Sequence, residues 1–87
     1  MYRFDLGEIR YVGIEVVSTN GDSFEITNAS ARVLQNGKEV TTLSVTIYGG
    51  KMIALFSADS PGSYFVNFSY TIGAEKFVDP VRIEVTA

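Results

Sequence analysis

The run Asp59-Ser60-Pro61-Gly62-Ser63-Tyr64-Phe65-Val66-Asn67-Phe68-Ser69-Tyr70-Thr71-Ile72 decides the fold class. From Tyr64 onward the large apolar side chains recur at every second residue. Tyr64, Val66, Phe68, Tyr70 and Ile72 fall on one face, and Phe65, Asn67, Ser69 and Thr71 on the other. Successive side chains of a strand point to opposite faces, so this period of two predicts a half-buried antiparallel strand. The preceding Asp-Ser-Pro-Gly-Ser is turn chemistry, with Asp59 placed to bond local backbone.

The pattern extends in both directions. Gly73-Ala74 is a hairpin turn signal, followed by a last strand with Phe77, Val81, Ile83 and Val85 inward and Lys76, Arg82, Glu84 and Thr86 outward. Pro80 interrupts that strand. Proline cannot donate to a ladder, so the stretch should be an edge or a bulge. Upstream, Asn36-Gly37 predicts a tight two-residue hairpin that pairs Val33 with Val40, with Gly37 at positive φ. Gly49-Gly50 predicts a second one that pairs Ile47 with Met52, Val45 with Ala54 and Leu43 with Phe56, leaving Ile53 and Leu55 on the opposite face. The first third reads as a strand over Ile9 to Val17, a turn at Asn20-Gly21-Asp22, and a strand opening at Phe24 and Ile26. The inward set of that strand changes phase to Ala29, Ala31 and Val33, which predicts a β-bulge at Asn28. A second phase shift falls near Thr41-Thr42. No window shows a clear helical period. About seven short strands in 87 residues describe one all-β domain over residues 1–87, a sandwich or small barrel.

The segment Asp59-Ser60-Pro61-Gly62-Ser63-Tyr64-Phe65-Val66 resembles the turn and strand start of immunoglobulin-like domains, where an Asp-x-x-Gly-x-Tyr run enters the penultimate strand. The resemblance implies an immunoglobulin-like antiparallel β-sandwich. It also implies a tyrosine corner, in which the Tyr64 hydroxyl bonds to backbone a few residues upstream. Val66 stands where antibody domains carry their second cysteine, as in disulfide-free relatives. Residues 61–71 and the strand after them are similar to the last two strands of bacterial and phage immunoglobulin-like modules. The likeness covers about the last third of the chain and speaks to fold more than to function.

Composition excludes several kinds of chemistry. Histidine, cysteine and tryptophan are absent. Ser-His and Cys-His nucleophile pairs are therefore impossible, and the usual zinc and other transition-metal ligand sets are missing. Lys38, Lys51 and Lys76 fall at turns or on outward faces and read as solvated surface. Calcium needs only oxygen ligands. Asp22, Glu25, Asp59 and Asp79 are the candidates, but they form no dense Asp-x-Asp run, and Asp22 and Asp59 are explained as turn formers. The net charge of −3 and a pI near 4.7 disfavour nucleic acid and anionic membrane.

The expectation is thus a non-catalytic structural or assembly protein, with no cofactor and no metal, that acts through protein contacts. The start Met1-Tyr2-Arg3-Phe4-Asp5 lacks the apolar run of a signal peptide. Together with the resemblance, that leads to the expectation of a phage or prophage virion-associated component made in the cytoplasm of its producer. The alternative is a binding or spacer module of a larger secreted or cell-surface protein. Tyr11 and Phe65 point outward by period and are the expected contact anchors. The strand from Ile9 to Val17, taken as the first, is the expected docking edge. Tyr64, Gly37, Gly49 and Gly50 are the expected structural positions.

Overall fold

Eight β-strands and no helix make up the regular structure of the described residues, 1–17 and 23–87, in the computed structural model. They are β1 (Tyr2–Asp5), β2 (Arg10–Glu15), β3 (Ile26–Gln35), β4 (Lys38–Leu43), β5 (Val45–Tyr48), β6 (Lys51–Phe56), β7 (Gly62–Ile72) and β8 (Glu75–Thr86). The expected Asn20-Gly21-Asp22 turn lies outside the described residues. A larger sheet runs β1-β8-β7-β3-β4 and a smaller one β2-β6-β5. Their inner faces share one core, in which Val66, Phe68 and Ile83 of the larger sheet join Val12, Met52 and Phe56 of the smaller.

Local chemistry explains most of these elements. Tyr64, Val66, Phe68 and Tyr70 are all buried, as the period of β7 requires. The Asn36-Gly37 turn has φ of 55° and 76°, the doubly positive geometry of a type I′ hairpin. Gly49 is at φ 60° and Gly73 at φ 60°, while the residue after each keeps an ordinary φ. Both turns are therefore of type II′. Gly50 is also kept small by the Val16 carbonyl, which a Cβ there would approach to 2.8 Å. Asn28, at φ 53°, lies where the β3–β7 register slips between Thr27 and Ser30, the site read from the phase shift.

Five expectations are corrected. The strand count is eight, because the first strand is β1, which pairs with β8 from Tyr2↔Ile83 to Asp5↔Thr86. That pairing is parallel, so the larger sheet is mixed. Val33 pairs with Thr41, and Val40 is the extra residue of a bulge between the Val33 and Leu34 rungs. Val40 is accordingly exposed. Leu43 pairs with Ala31 in the larger sheet, not with Phe56, because the chain leaves one sheet for the other at Ser44. Phe77 lies on the inward side of β8 but is 38% exposed and only stacks on Tyr70, ring centroids 5.4 Å apart. The reason is that β1 covers β8 from Ile83 onward only, which leaves Phe77 on an open edge.

Pro80 sits on that same open stretch. Leu6 N–H donates to Thr86 O at 2.7 Å, so the even-numbered backbone groups of β8 face the β1 side. The missing N–H of Pro80 therefore points to the open edge, where no ladder bond is lost. No helix of the described chain is long and apolar enough to cross a membrane.

Candidate functional site

β6 sets the geometry of the smaller sheet. Its register places Leu55 beside Tyr11, Ile53 between Gly13 and Thr46, and Lys51 between Glu15 and Tyr48. Met52, Ala54 and Phe56 point into the core, so by alternation these neighbours form the outer face. Tyr11 is 61% exposed, Leu55 48% and Tyr48 75%. Gly13 is required here by close approach. A Cβ on it would lie 2.3 Å from the Met52 carbonyl oxygen and 2.9 Å from Ile53 Cγ2. The missing side chain opens a shallow groove of about 340 Å³ floored by Gly13 and Ile53, with Tyr2, Tyr11, Glu15 and Lys51 around it.

The two expected anchors do not meet. Tyr11 belongs to the outer face of the smaller sheet, and Phe65 to the outer face of the larger one. The two faces look in opposite directions. Phe65 lies in register between Leu34 and Arg82. Apart from Leu34, its neighbours on that face are polar and engaged with one another. Ser63 Oγ donates to both Glu84 carboxylate oxygens, at 2.7 and 2.9 Å, and Arg82 reaches Oε1 at 2.6 and 2.9 Å. The Ser63 hydrogen bonds first, and then Arg82, hold the Glu84 carboxyl below its ordinary pKa of 4.5.

The expected docking edge is β2, the second strand and not the first, and it is partly occupied. β2 is an edge of the smaller sheet, yet its outward backbone groups are partly taken. The Tyr2 hydroxyl accepts from Gly13 N–H at 3.2 Å and lies 3.4 Å from Gly13 O. Arg10 donates to the Arg3 carbonyl and stacks over the Phe4 ring at 4.1 Å. The Tyr2 hydroxyl thus occupies the middle of this edge, at Gly13, where a foreign strand would have to lie.

Tyr64 anchors the far end of the fold. Its hydroxyl donates to Ser60 O at 2.7 Å, and its ring meets Phe56 edge-on at 5.6 Å. Phe56 meets Phe4 edge-on at 5.3 Å, which links the β6–β7 corner to β1. The acidic candidates for calcium do not converge. Glu25 and Asp59 lie on different loops, and Asp79, on β8, accepts a hydrogen bond from the Tyr70 hydroxyl at 2.5 Å. Among the described residues no three acidic side chains are placed to share an ion. Asp22 lies outside the described residues.

Leu55, Ile53 and Tyr48 are the face residues that sequence reasoning did not select. Ile53 and Leu55 showed the signal, since they point away from Met52 and Ala54. What was missing was the neighbour: only the β2–β6 register sets Tyr11 beside Leu55. No protein-family model matches this chain, and a search of the curated proteins finds no match.

Proposed function

We propose that this domain is an immunoglobulin-like module without catalytic chemistry that works by protein contact through the outer face of its smaller sheet. The observation that carries the reading is the unequal chemistry of the two outer faces. One carries exposed Tyr11, Leu55 and Tyr48, with Tyr11 and Ile53 lining a shallow groove. The other binds its charges to one another around Phe65. Exposed aromatic and aliphatic side chains gathered on one face are the chemistry of a protein interface. The lack of histidine and cysteine supports the non-catalytic clause.

Three features support the immunoglobulin-like reading. The orders β2-β6-β5 and β8-β7-β3-β4 correspond to the B-E-D and G-F-C strands of such sandwiches, with one added edge strand. Tyr64 makes the corner bond to Ser60. Val12 and Val66, both fully buried, stand on the two strands that antibody domains join by a disulfide. β1 departs from the antibody constant pattern, because it lies beside the last strand instead of in the smaller sheet.

The finer form of the proposal is a virion-associated component, which mass spectrometry of particles purified from the producing strain tests directly. For the contact face, the parent, a Tyr11→Ala/Leu55→Ser variant and Phe65→Ala serve as baits against the same particle fraction. A partner kept by the parent and by Phe65→Ala but lost by the double variant supports the face. A partner lost with Phe65→Ala and kept by the double variant moves the site to the larger sheet and overturns it.

A further inference from the structure

An open strand edge is a row of unpaired backbone donors and acceptors, and folded proteins interrupt such rows. Here most of the edges are interrupted. β1 is four residues long and carries Arg3 and Asp5. The open part of β8 has Pro80 turned outward. β2 has the Tyr2 hydroxyl on Gly13. β3 is bulged at Asn28 where β4 no longer covers it. β4 carries Lys38, Glu39 and the bulge at Val40.

β5 differs. It reads Val45-Thr46-Ile47-Tyr48, preceded by Leu43-Ser44, with no charge, proline, glycine or bulge. Its residues are of high β-propensity. Ile47 is 43% exposed. The direction of its free backbone groups follows from the ladder. In a two-residue hairpin the flanking pair, Tyr48 and Lys51, exchanges hydrogen bonds, so Thr46 also faces β6 while Val45 and Ile47 face outward. The same alternation carried across β6 turns Gly13 outward on β2, where its N–H indeed meets Tyr2.

We propose that the β5 edge pairs antiparallel with β5 of a second copy of this chain. Outward groups must face outward groups, and of the registers this allows only the one centred on Thr46 keeps both outward residues of each copy within the pair: Val45 opposite the second copy's Ile47, and Thr46 opposite Thr46 on the two-fold axis. The arrangement joins two three-stranded sheets into one of six strands. A second copy suits this edge because a strand without charge meets its own image without repulsion. At the axis two threonines face each other, a favourable cross-strand pair. The pairing uses backbone of β5 alone and stands whatever partner the outer face takes.

A four-residue pairing lies well below the roughly 1,200 Å² of a standard interface, so the expected Kd is on the order of 1 mM. Sedimentation and amide NMR from about 0.05 to about 2 mM read it, with concentration-dependent shifts expected at Val45 and Ile47 N–H. Thr46→Lys and Thr46→Glu should each weaken self-association by roughly tenfold or more, since like charges meet on the axis. An equimolar mixture of the two should recover pairing as a heterodimer. Tyr11→Ala should leave it unchanged. A parent that stays monomeric throughout overturns the proposal. So does self-association that survives Thr46→Lys, or that Tyr11→Ala abolishes.

Discussion

Phe4→Ala tests whether the parallel strand β1 is part of the energetic core or a loose end laid over it. The Phe4 side chain is 3% exposed, shares an edge-to-face contact with Phe56 at 5.3 Å and is covered by the Arg10 guanidinium. Burying about 150–250 Å² of aromatic surface at about 25 cal/mol per Å² stabilises by about 4–6 kcal/mol. Measured Phe→Ala losses in cores run at about 3–5 kcal/mol, so about 4 kcal/mol is expected here. Total stability for a chain of this length is about 4–13 kcal/mol. The variant should therefore be close to unfolding, with Tm lower by roughly 16–32 °C. Urea melts followed by far-UV circular dichroism measure the loss. A double-mutant cycle with Phe56→Leu should show coupling of about 0.5–1.5 kcal/mol from the ring pair. A loss under about 1 kcal/mol for Phe4→Ala would mean that β1 detaches at little cost, and the parallel latch would be refuted.

Gly37→Ala should cost about 1–2 kcal/mol in the same melts, because φ there is 76° and Asn36 beside it is already left-handed. A neutral outcome would deny the I′ turn. Tyr64→Phe removes the bond to Ser60 O without opening a cavity and should cost about 0.5–1.5 kcal/mol. No change at all would reduce the corner to ordinary core packing. Burial, and then the hydrogen bond and charge of Asp79, push the Tyr70 phenol up from 10.0 to about 12. The folded chain thus keeps a proton that the unfolded chain has released. The stability this provides is complete below pH 10 and is lost as pH rises through about 12. Urea melts across that window should fall more steeply for the parent than for Tyr70→Phe, and parallel slopes would contradict the assignment.

Short-range chemistry made much of this protein legible from its residues. The period of two, the Asn36-Gly37, Gly49-Gly50 and Gly73-Ala74 turns and the bulge at Asn28 depend on sterics within a few residues. The pairings Ile47↔Met52 and Val45↔Ala54 follow directly from a tight turn, and the outward direction of Tyr11, Leu55 and Phe65 follows from alternation. Tertiary structure decided whatever depends on which strand lies beside which. β1 is only four residues long, and its partner β8 is some 80 positions away, so no local signal announces a parallel latch. Phe77 has the right phase for the core, but phase says nothing about whether a neighbouring strand exists to cover it. Val40 and Leu43 moved off their expected partners because of a bulge at Val40, close to the phase shift read near Thr41-Thr42 but one that alternation alone did not place, and because of a change of sheet at Ser44 that nothing local marks. The candidate site divided in the same way. Tyr11 and Phe65 each pointed to solvent as their periods required, but two sheets back to back turn one set of outward residues away from the other. Alternation settles inside against outside for each strand separately. Only the packing of the sheets settles which outside residues share a surface.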